Sequence, residues 1–312
     1  MMRHGYNNRI LAIVCSIVAS VALSACGNGG NSAQGGAAKT LTIDQTFALS
    51  SMDPQRAFEA TGYEVNHSVY DTAVTFKGDD LTKVIPSVTN FSMSANNTVL
   101  TLTITGKHKF SDGNDVTADD IVYSYQRLQK IKGNPSYLLD GITVKKISAT
   151  KVTLTADHAM PELPSILTAP PMSIVEKKAV SAHGGKLSPA DGAEKYLTNH
   201  SEGSGPYMYD SVATDSAIIL KRNPYYTGAK PYYDRVVVNN VSADSQKVNL
   251  QGGNADLAEN ISQDEAKQLN SKSFKRTEGL SLSTWYLSLN TYAAAGKIAS
   301  NTDFVLAMKH AI

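Results

Sequence analysis

Cysteine is nearly missing from this 312-residue chain: Cys15 and Cys26 are its only two. Both lie close to the N-terminus, so the body beyond them offers no disulfide, no thiolate metal site and no cysteine nucleophile. Without such staples the fold has to rest on a buried apolar core, and 42% hydrophobic residues supply the material for one. An excess of one charge is lacking too: 29 Lys and Arg face 28 Asp and Glu, a net +1. That balance gives no electrostatic footprint for nucleic acid. Beyond the N-terminal region, no apolar run reaches the about 20 residues of a membrane-spanning helix. Catalytic signatures are absent as well. There is no Gly-x-Ser-x-Gly elbow, no His-Glu-x-x-His pair and no phosphate loop, since Gly203-Ser204-Gly205 lacks the spacing and the lysine. His108, His158, His183 and His200 are too dispersed to propose a metal set. Asp112, Asn114 and Asp115 have the wrong spacing for a calcium loop and no bidentate Glu follows them. No catalytic residue, metal or cofactor is therefore expected.

What is present begins at the N-terminus. Arg3, His4 and Arg9 precede an apolar run over residues 10–22, broken only by Ser16 and Ser20. The run is too short to span a bilayer and fits the apolar region of a secretory signal. Leu23-Ser24-Ala25-Cys26-Gly27 follows directly and resembles the bacterial lipobox, which implies cleavage before Cys26 and a lipid on its sulfur. Residues 27–38 read GNGGNSAQGGAA, without charge or apolar periodicity, the composition of a flexible tether. Two or more acyl chains anchor stably where one does not. Residues 1–25 are thus expected to be a signal peptide and 26–38 a tether at the outer face of a bacterial cell membrane.

The rest of the chain alternates strand and helix patterns. Leu41, Ile43 and Phe47 predict a strand, and Asp53-Pro54 a turn. Tyr63, His67, Tyr70 and Val74 share one helical face over residues 60–73, which reads His67 as a packed core histidine. Leu100, Leu102 and Ile104 alternate with threonine after the Asn96-Asn97 turn, the mark of a half-buried strand. Ile147 and Val152-Thr153-Leu154 flank a second tight turn. Between these hairpins lies a helix that starts at Thr117 with Asp120 three residues on, a capping-box-like pair. Its apolar stripe is Ile121, Tyr125, Leu128 and Ile131. Pro161, Pro164, Pro170 and Pro171 predict an extended irregular segment. Further strands are expected over 218–221, at Val236-Val237-Val238 with both faces covered, and over 282–289; a short helix is expected over 264–269. Residues 304–312 begin a helix with Asp303 as its cap, and the pattern stops mid-helix, as if C-terminally truncated.

Seven separated motifs occur in order: Ser51-Met52-Asp53-Pro54; Val69-Tyr70-Asp71-Thr72; Lys109-Phe110-Ser111-Asp112-Gly113 with Thr117-Ala118-Asp119-Asp120-Ile121-Val122-Tyr123-Ser124; Gly203-Ser204-Gly205-Pro206-Tyr207; Lys221-Arg222-Asn223-Pro224-Tyr225-Tyr226; Leu250-Gln251-Gly252-Gly253-Asn254-Ala255-Asp256; and Leu287-Ser288-Leu289-Asn290 with residues 303–312. Together they resemble the family 5 extracellular solute-binding proteins, the binding lipoproteins of peptide and nickel uptake ABC transporters. The third is the most specific. Met52 stands for the usual Leu, Asn254 for an acid, Lys309 for Arg and His310 for Gln.

The resemblance implies an α/β, type II periplasmic-binding-protein-like fold whose lobes close on a ligand. Residues 39–55 and 176–284 would form lobe I, 56–175 its inserted subdomain, and 285–312 the crossover and the start of lobe II, the remainder missing. With one wall of the cleft, such a chain is expected to be poorly soluble and to bind no peptide tightly. Ligand contacts implied by the family are Phe47, Ala48, Leu49 and Ser50, before the Asp-Pro turn. Trp285, the single tryptophan, and Tyr286 are added as aromatic contacts suited to a cleft. The implied function is that of a monomeric, lipid-anchored solute-binding component, no enzyme, which captures oligopeptides and delivers them to permease subunits. Nickel chelates or oligosaccharides are alternative ligands; a lipoprotein sensor, adhesin or surface hydrolase is an alternative role.

Overall fold

The computed structural model describes residues 38–277, 286–290 and 297–311. The chain enters through β1 (Thr40–Gln45), turns at Asp53-Pro54 and forms α1 (Ala60–Val69). Two hairpins follow, β2 (Val74–Lys77) with β3 (Asp80–Pro86), and β4 (Thr89–Met93) with β5 (Val99–Ile104). The second turns at Asn97, which takes φ 55°, a left-handed geometry that asparagine tolerates. Then come α2 (Ala118–Ile131), β6 (Ile142–Lys146), β7 (Lys151–Ala156) and the short helices α3 (Leu163–Ile166), α4 (Lys177–Ala182) and α5 (Glu194–Asn199). The remaining elements are β8 (Tyr207–Ala213), β9 (Ala217–Arg222), β10 (Arg235–Asn240), α6 (Ala243–Gly252), β11 (Leu257–Ala258), α7 (Gln263–Lys267) and α8 (Thr302–Ala311).

The strands form three sheets among the described residues. One has the order β11-β1-β10-β9-β8, with β1 parallel to both β10 and β11 and the rest antiparallel. A second, β4-β5-β7-β6, is wholly antiparallel, and β2-β3 stands as a pair. Each larger sheet has its own core. Leu100, Leu102 and Leu154 pack with Ile121, Tyr125 and Leu128 of α2, all fully buried. Ile43, Ile218, Leu220, Val236 and Val238 pack with Val65 and Val69 of α1. Helix α2 serves both cores, since Tyr123 joins the second.

Helix α2 starts as the Thr117/Asp120 spacing predicts. The Asp120 carboxylate accepts from the Thr117 backbone N–H (2.9 Å) and hydroxyl (2.6 Å), while its other oxygen accepts from the Lys177 N–H (2.9 Å) and ties α4 to α2. The Gly203-Ser204-Gly205 motif has a packing reason. A Cβ on Gly203 would lie 2.3 Å from the Val69 carbonyl oxygen, and one on Gly205 2.6 Å from the Val69 carbonyl carbon, so only glycine lets this loop lie against the end of α1.

Four expectations are corrected. The buried face of α1 is Gly62, Val65, Asn66 and Val69, which leaves His67 exposed and not in the core. The proline segment is not extended: Pro164 sits in the first turn of α3, and Pro170 and Pro171 open a 3-10 turn over Pro170–Met172, positions where a missing N–H costs nothing. The cap of α8 is Asn301, whose side-chain oxygen accepts from the Phe304 N–H at 3.0 Å, and not Asp303. Residues 286–290 are not in a strand, and the rest of the strand expected over 282–289 lies outside the described residues.

Candidate functional site

Parallel strands β1, β10 and β11 run out at one end of their sheet, the end at which α/β sheets hold ligands. The chain leaving β1 there is fixed at its first two residues. The Thr46 N–H donates to the Asn260 side-chain oxygen at 2.7 Å. Asn240 at the end of β10 clamps Phe47 from both sides: its side-chain oxygen accepts from the Phe47 N–H (3.0 Å) and its amide donates to the Phe47 carbonyl (2.9 Å). Past this clamp the backbone is free. Among the described residues, the N–H groups of Ala48, Leu49 and Ser50 have no partner, and Ala48 and Ser50 are exposed. Only side chains hold this stretch. Leu49 lies against Gly62 of α1, and the Ser50 hydroxyl donates to Glu59 at 2.5 Å.

An aromatic group flanks the free backbone. Phe58, 46% exposed, meets Tyr63 edge-to-face with ring centroids 6.1 Å apart, and Tyr137 is 58% exposed. Burial first, then Tyr137 and Glu59 nearby, push the Tyr63 hydroxyl up to about 12, so it remains a neutral donor. Tyr137 reaches this side because the turn before it packs on the Asp-Pro turn: a Cβ on Gly133 would lie 3.2 Å from the Gln55 carbonyl oxygen. On the β11 side, the buried Gln45 amide donates to Glu64 of α1 and, at 2.5 Å, to Glu259. Desolvation, then the charge of Glu259, push the Glu64 carboxyl up to about 7 against the stabilising Gln45 contact.

The whole surface stands on an ionic cluster. Arg127 of α2, fully buried, spreads its guanidinium on Asp53 (2.8 and 2.6 Å) and on Asp191 (3.0 and 2.7 Å), and donates to the Gln55 side-chain oxygen (2.6 Å). Asp53 belongs to the Asp-Pro turn, whose backbone carbonyl also accepts from Ala57 at 2.8 Å. The turn between the free backbone and the aromatic group is thereby held from beneath.

This arrangement lies within a known fold. The profile of the bacterial extracellular solute-binding proteins, family 5 Middle, matches residues 83–312. The chain belongs to that family. It is 26% identical over 264 residues to the probable D,D-dipeptide-binding periplasmic protein DdpA of Escherichia coli K12, covering 81% of this chain and 50% of that protein. The periplasmic oligopeptide-binding protein OppA of Salmonella typhimurium is 32% identical over 175 residues, 49% of this chain and 31% of that one. The murein tripeptide binding protein MppA, in its unliganded open form, superimposes with a TM-score of 0.65 at 20% identity, over 75% of this chain and 47% of that one. The fold is the α/β, type II periplasmic-binding-protein-like fold expected. The chain spans about half the length of such relatives.

The structure brings Phe47, Ala48, Leu49 and Ser50 together as one loop. Tyr286 is 83% exposed, and among the described residues no hydrogen bond, ion pair or ring contact ties it to that loop. Trp285 and Cys26 lie outside the described residues. Sequence reasoning missed Phe58 and Tyr137 and placed Tyr63 on a core face. A signal existed for two of them: Phe58 follows the Asp53-Pro54 turn, and Tyr137 lies two residues after Pro135.

Proposed function

We propose that this chain supplies a peptide-contacting wall of the solute-binding component of an ABC uptake transporter, an extracytoplasmic protein that performs no chemistry. The observation that carries the reading is the exposed backbone of residues 48–50, with three unpartnered N–H groups beside Phe58, Tyr63 and Tyr137. Such a strip takes an extended peptide by main-chain hydrogen bonds, while the aromatic group holds a side chain. Relatives named as dipeptide- and oligopeptide-binding proteins support a peptide over other solutes. In this reading residues 39–55 and 176–284 are lobe I, 56–175 its inserted subdomain, and 285–312 the crossover toward lobe II. Trp285 and Tyr286 are further contacts, and the protein works as a monomer with membrane permease subunits.

The test is hydrogen exchange on the full chain with millimolar trialanine. Slowed exchange at residues 48–50, weakened by Phe58→Ala, is the expected result, and the fluorescence of Trp285 should shift with the same midpoint. Protection confined to another surface would remove the assignment. Anchoring through Cys26 is proposed alongside, on the strength of the lipobox. Replacing Cys26 with Ser should release the protein from the membrane fraction and abolish labelling by a fatty-acid analogue; a variant that stays labelled contradicts it.

A further inference from the structure

The opposite end of the large sheet, where β1 and β10 begin, carries a different surface. Tyr232 is 66% exposed, and the Lys39 ammonium sits 3.9 Å above its ring. Tyr233 meets Tyr232 edge-to-face at 5.0 Å. The loop that presents both rings is rigidly held: Arg222 donates to the Tyr232 and Tyr233 carbonyls at 2.9 and 3.0 Å, and the Tyr207 hydroxyl donates to the Tyr233 carbonyl at 3.0 Å. The Asp234 side chain accepts from the Lys39 N–H at 2.8 Å, and its charge is paired with Arg222. Lys230 and Arg235 are exposed and, among the described residues, form no ion pair. The result is a firm, cationic, tyrosine-bearing patch in which Asp234 is paired with Arg222 and Asp210 with Lys221, while Asp256 lies beside Thr42.

We propose that this patch rests on an anionic lipid bilayer. Tyrosine carries an apolar ring with a polar tip and favours the headgroup level of a membrane, and lysine or arginine beside it adds attraction to anionic lipid. The occupant follows from the chain itself. Lys39 is both a member of the patch and the residue at which the tether from Cys26 joins the folded body, so the inference rests on the lipid-anchor reading above. The Gly/Ser-rich composition of residues 27–38 predicts a coil with a mean span of about 20 Å, and a chain of that length cannot exceed about 45 Å, which keeps Lys39 within reach of the bilayer. Once the anchor is inserted, patch and lipid meet as tethered partners, and weak contacts suffice. Strand β1 separates the patch from the loop at 47–50 by about 20 Å, at the other end of the sheet. In this pose the peptide-contacting loop faces away from the membrane and stays open to solute; delivery to a permease then requires the body to lift and turn on its tether.

The experiment uses the full chain with Cys26→Ser, so that no anchor contributes, and vesicles of phosphatidylglycerol and phosphatidylcholine in equal parts. Sedimentation should show weak binding that fades with added salt and is absent on pure phosphatidylcholine. Lys39→Gln and Lys230→Gln should each weaken it about fivefold, and Tyr232→Ala should weaken it further, while the exposed Leu187→Ala leaves it unchanged. Circular dichroism confirms that each variant is folded. Equal binding by the patch variants, equal binding to both vesicle types, or a self-association lost with Tyr232→Ala in place of lipid binding would overturn the proposal. Fatty-acid labelling of the unsubstituted chain tests the anchor independently. Labelled protein without vesicle binding removes the docking surface and leaves the anchor. Vesicle binding by unlabelled protein removes the anchor and leaves the surface.

Discussion

Arg127 shows how much one buried charge organises. Removing a guanidinium from water is costly, and burial works against its charge, yet Asp53 and Asp191 hold its pKa above the ordinary arginine value. Asp191 is affected reciprocally: burial acts to raise its pKa, but the contacts from Arg127 leave it below the usual carboxylate range. Deleting one partner of such a group strands the others. Arg127→Met should therefore cost about 3–5 kcal/mol, because two carboxylates that are 0% exposed would keep only the longer contacts of Arg56, 3.6 Å to Asp53 and 3.3 Å to Asp191. Denaturant unfolding checks the magnitude. A second signature separates charge from packing. The variant releases the Asp191 carboxyl from the contacts that hold it below the usual range, so its deficit should shrink as pH falls; a deficit that does not change with pH would show that lost packing, not charge, is responsible. Nothing in the sequence marks Arg127 as special. It sits in a helix beside Gln126 and Gln129, and its partners are 74 and 64 positions away.

Between elements, the contact of α1 with β1 and the segment after β11 is set by protons. The Gln45 amide donates to both Glu64 and Glu259, which places two carboxyls against one donor. The Glu64 carboxyl moves from 4.5 up to about 7 in the folded state, so between those values the folded chain holds a proton that the unfolded chain has released. Stability contributed by this group is complete below pH 4.5 and declines as pH rises toward 7. Glu64→Gln cannot titrate, and its thermal midpoint should lose that decline across pH 4.5–7; an unchanged slope would assign the dependence to other groups. The elements themselves were largely legible. Helix α2 announced itself through Thr117, Asp120 and the stripe from Ile121 to Ile131, and β5 through alternating Leu and Thr, since local chemistry and tertiary burial agree there. Helix α1 was legible as a helix but its face was misread, because Tyr63 and His67 carry as much apolar surface as Val65 and Val69 while the core lies on the other side. The Asp-Pro turn was legible as a turn. That its carboxylate receives Arg127, and that Phe58 and Tyr137 meet beside it, depends on long-range packing that no local pattern encodes.

At the scale of the molecule, residues 38–312 form one compact unit although they contain two hydrophobic cores. The seam between the cores is polar and well bonded. Ser111 donates to the Gly203 carbonyl (2.9 Å) through its N–H and to the Ser201 carbonyl (2.6 Å) through its hydroxyl, and the Asn114 amide donates to Glu176 at 2.8 Å. Helix α2 adds Tyr125 to one core and Tyr123 to the other, and its Arg127 binds Asp53 and Asp191. Losing either core would break these contacts together, at about 0.5–1.5 kcal/mol for each neutral hydrogen bond and about 1.5–3 kcal/mol for each one to a charged group. One core unfolding alone is thus penalised several times over, and the two should melt together. Leu154→Ala and Leu220→Ala place a cavity in one core each, at side chains 0% and 2% exposed, and each should cost about 2–5 kcal/mol. In both variants the tyrosine absorbance, which samples the two cores, and the far-ultraviolet dichroism should follow one common transition. Two separated transitions in Leu154→Ala, with the later one unmoved from the parent chain, would show that each core folds by itself and that the seam contributes little.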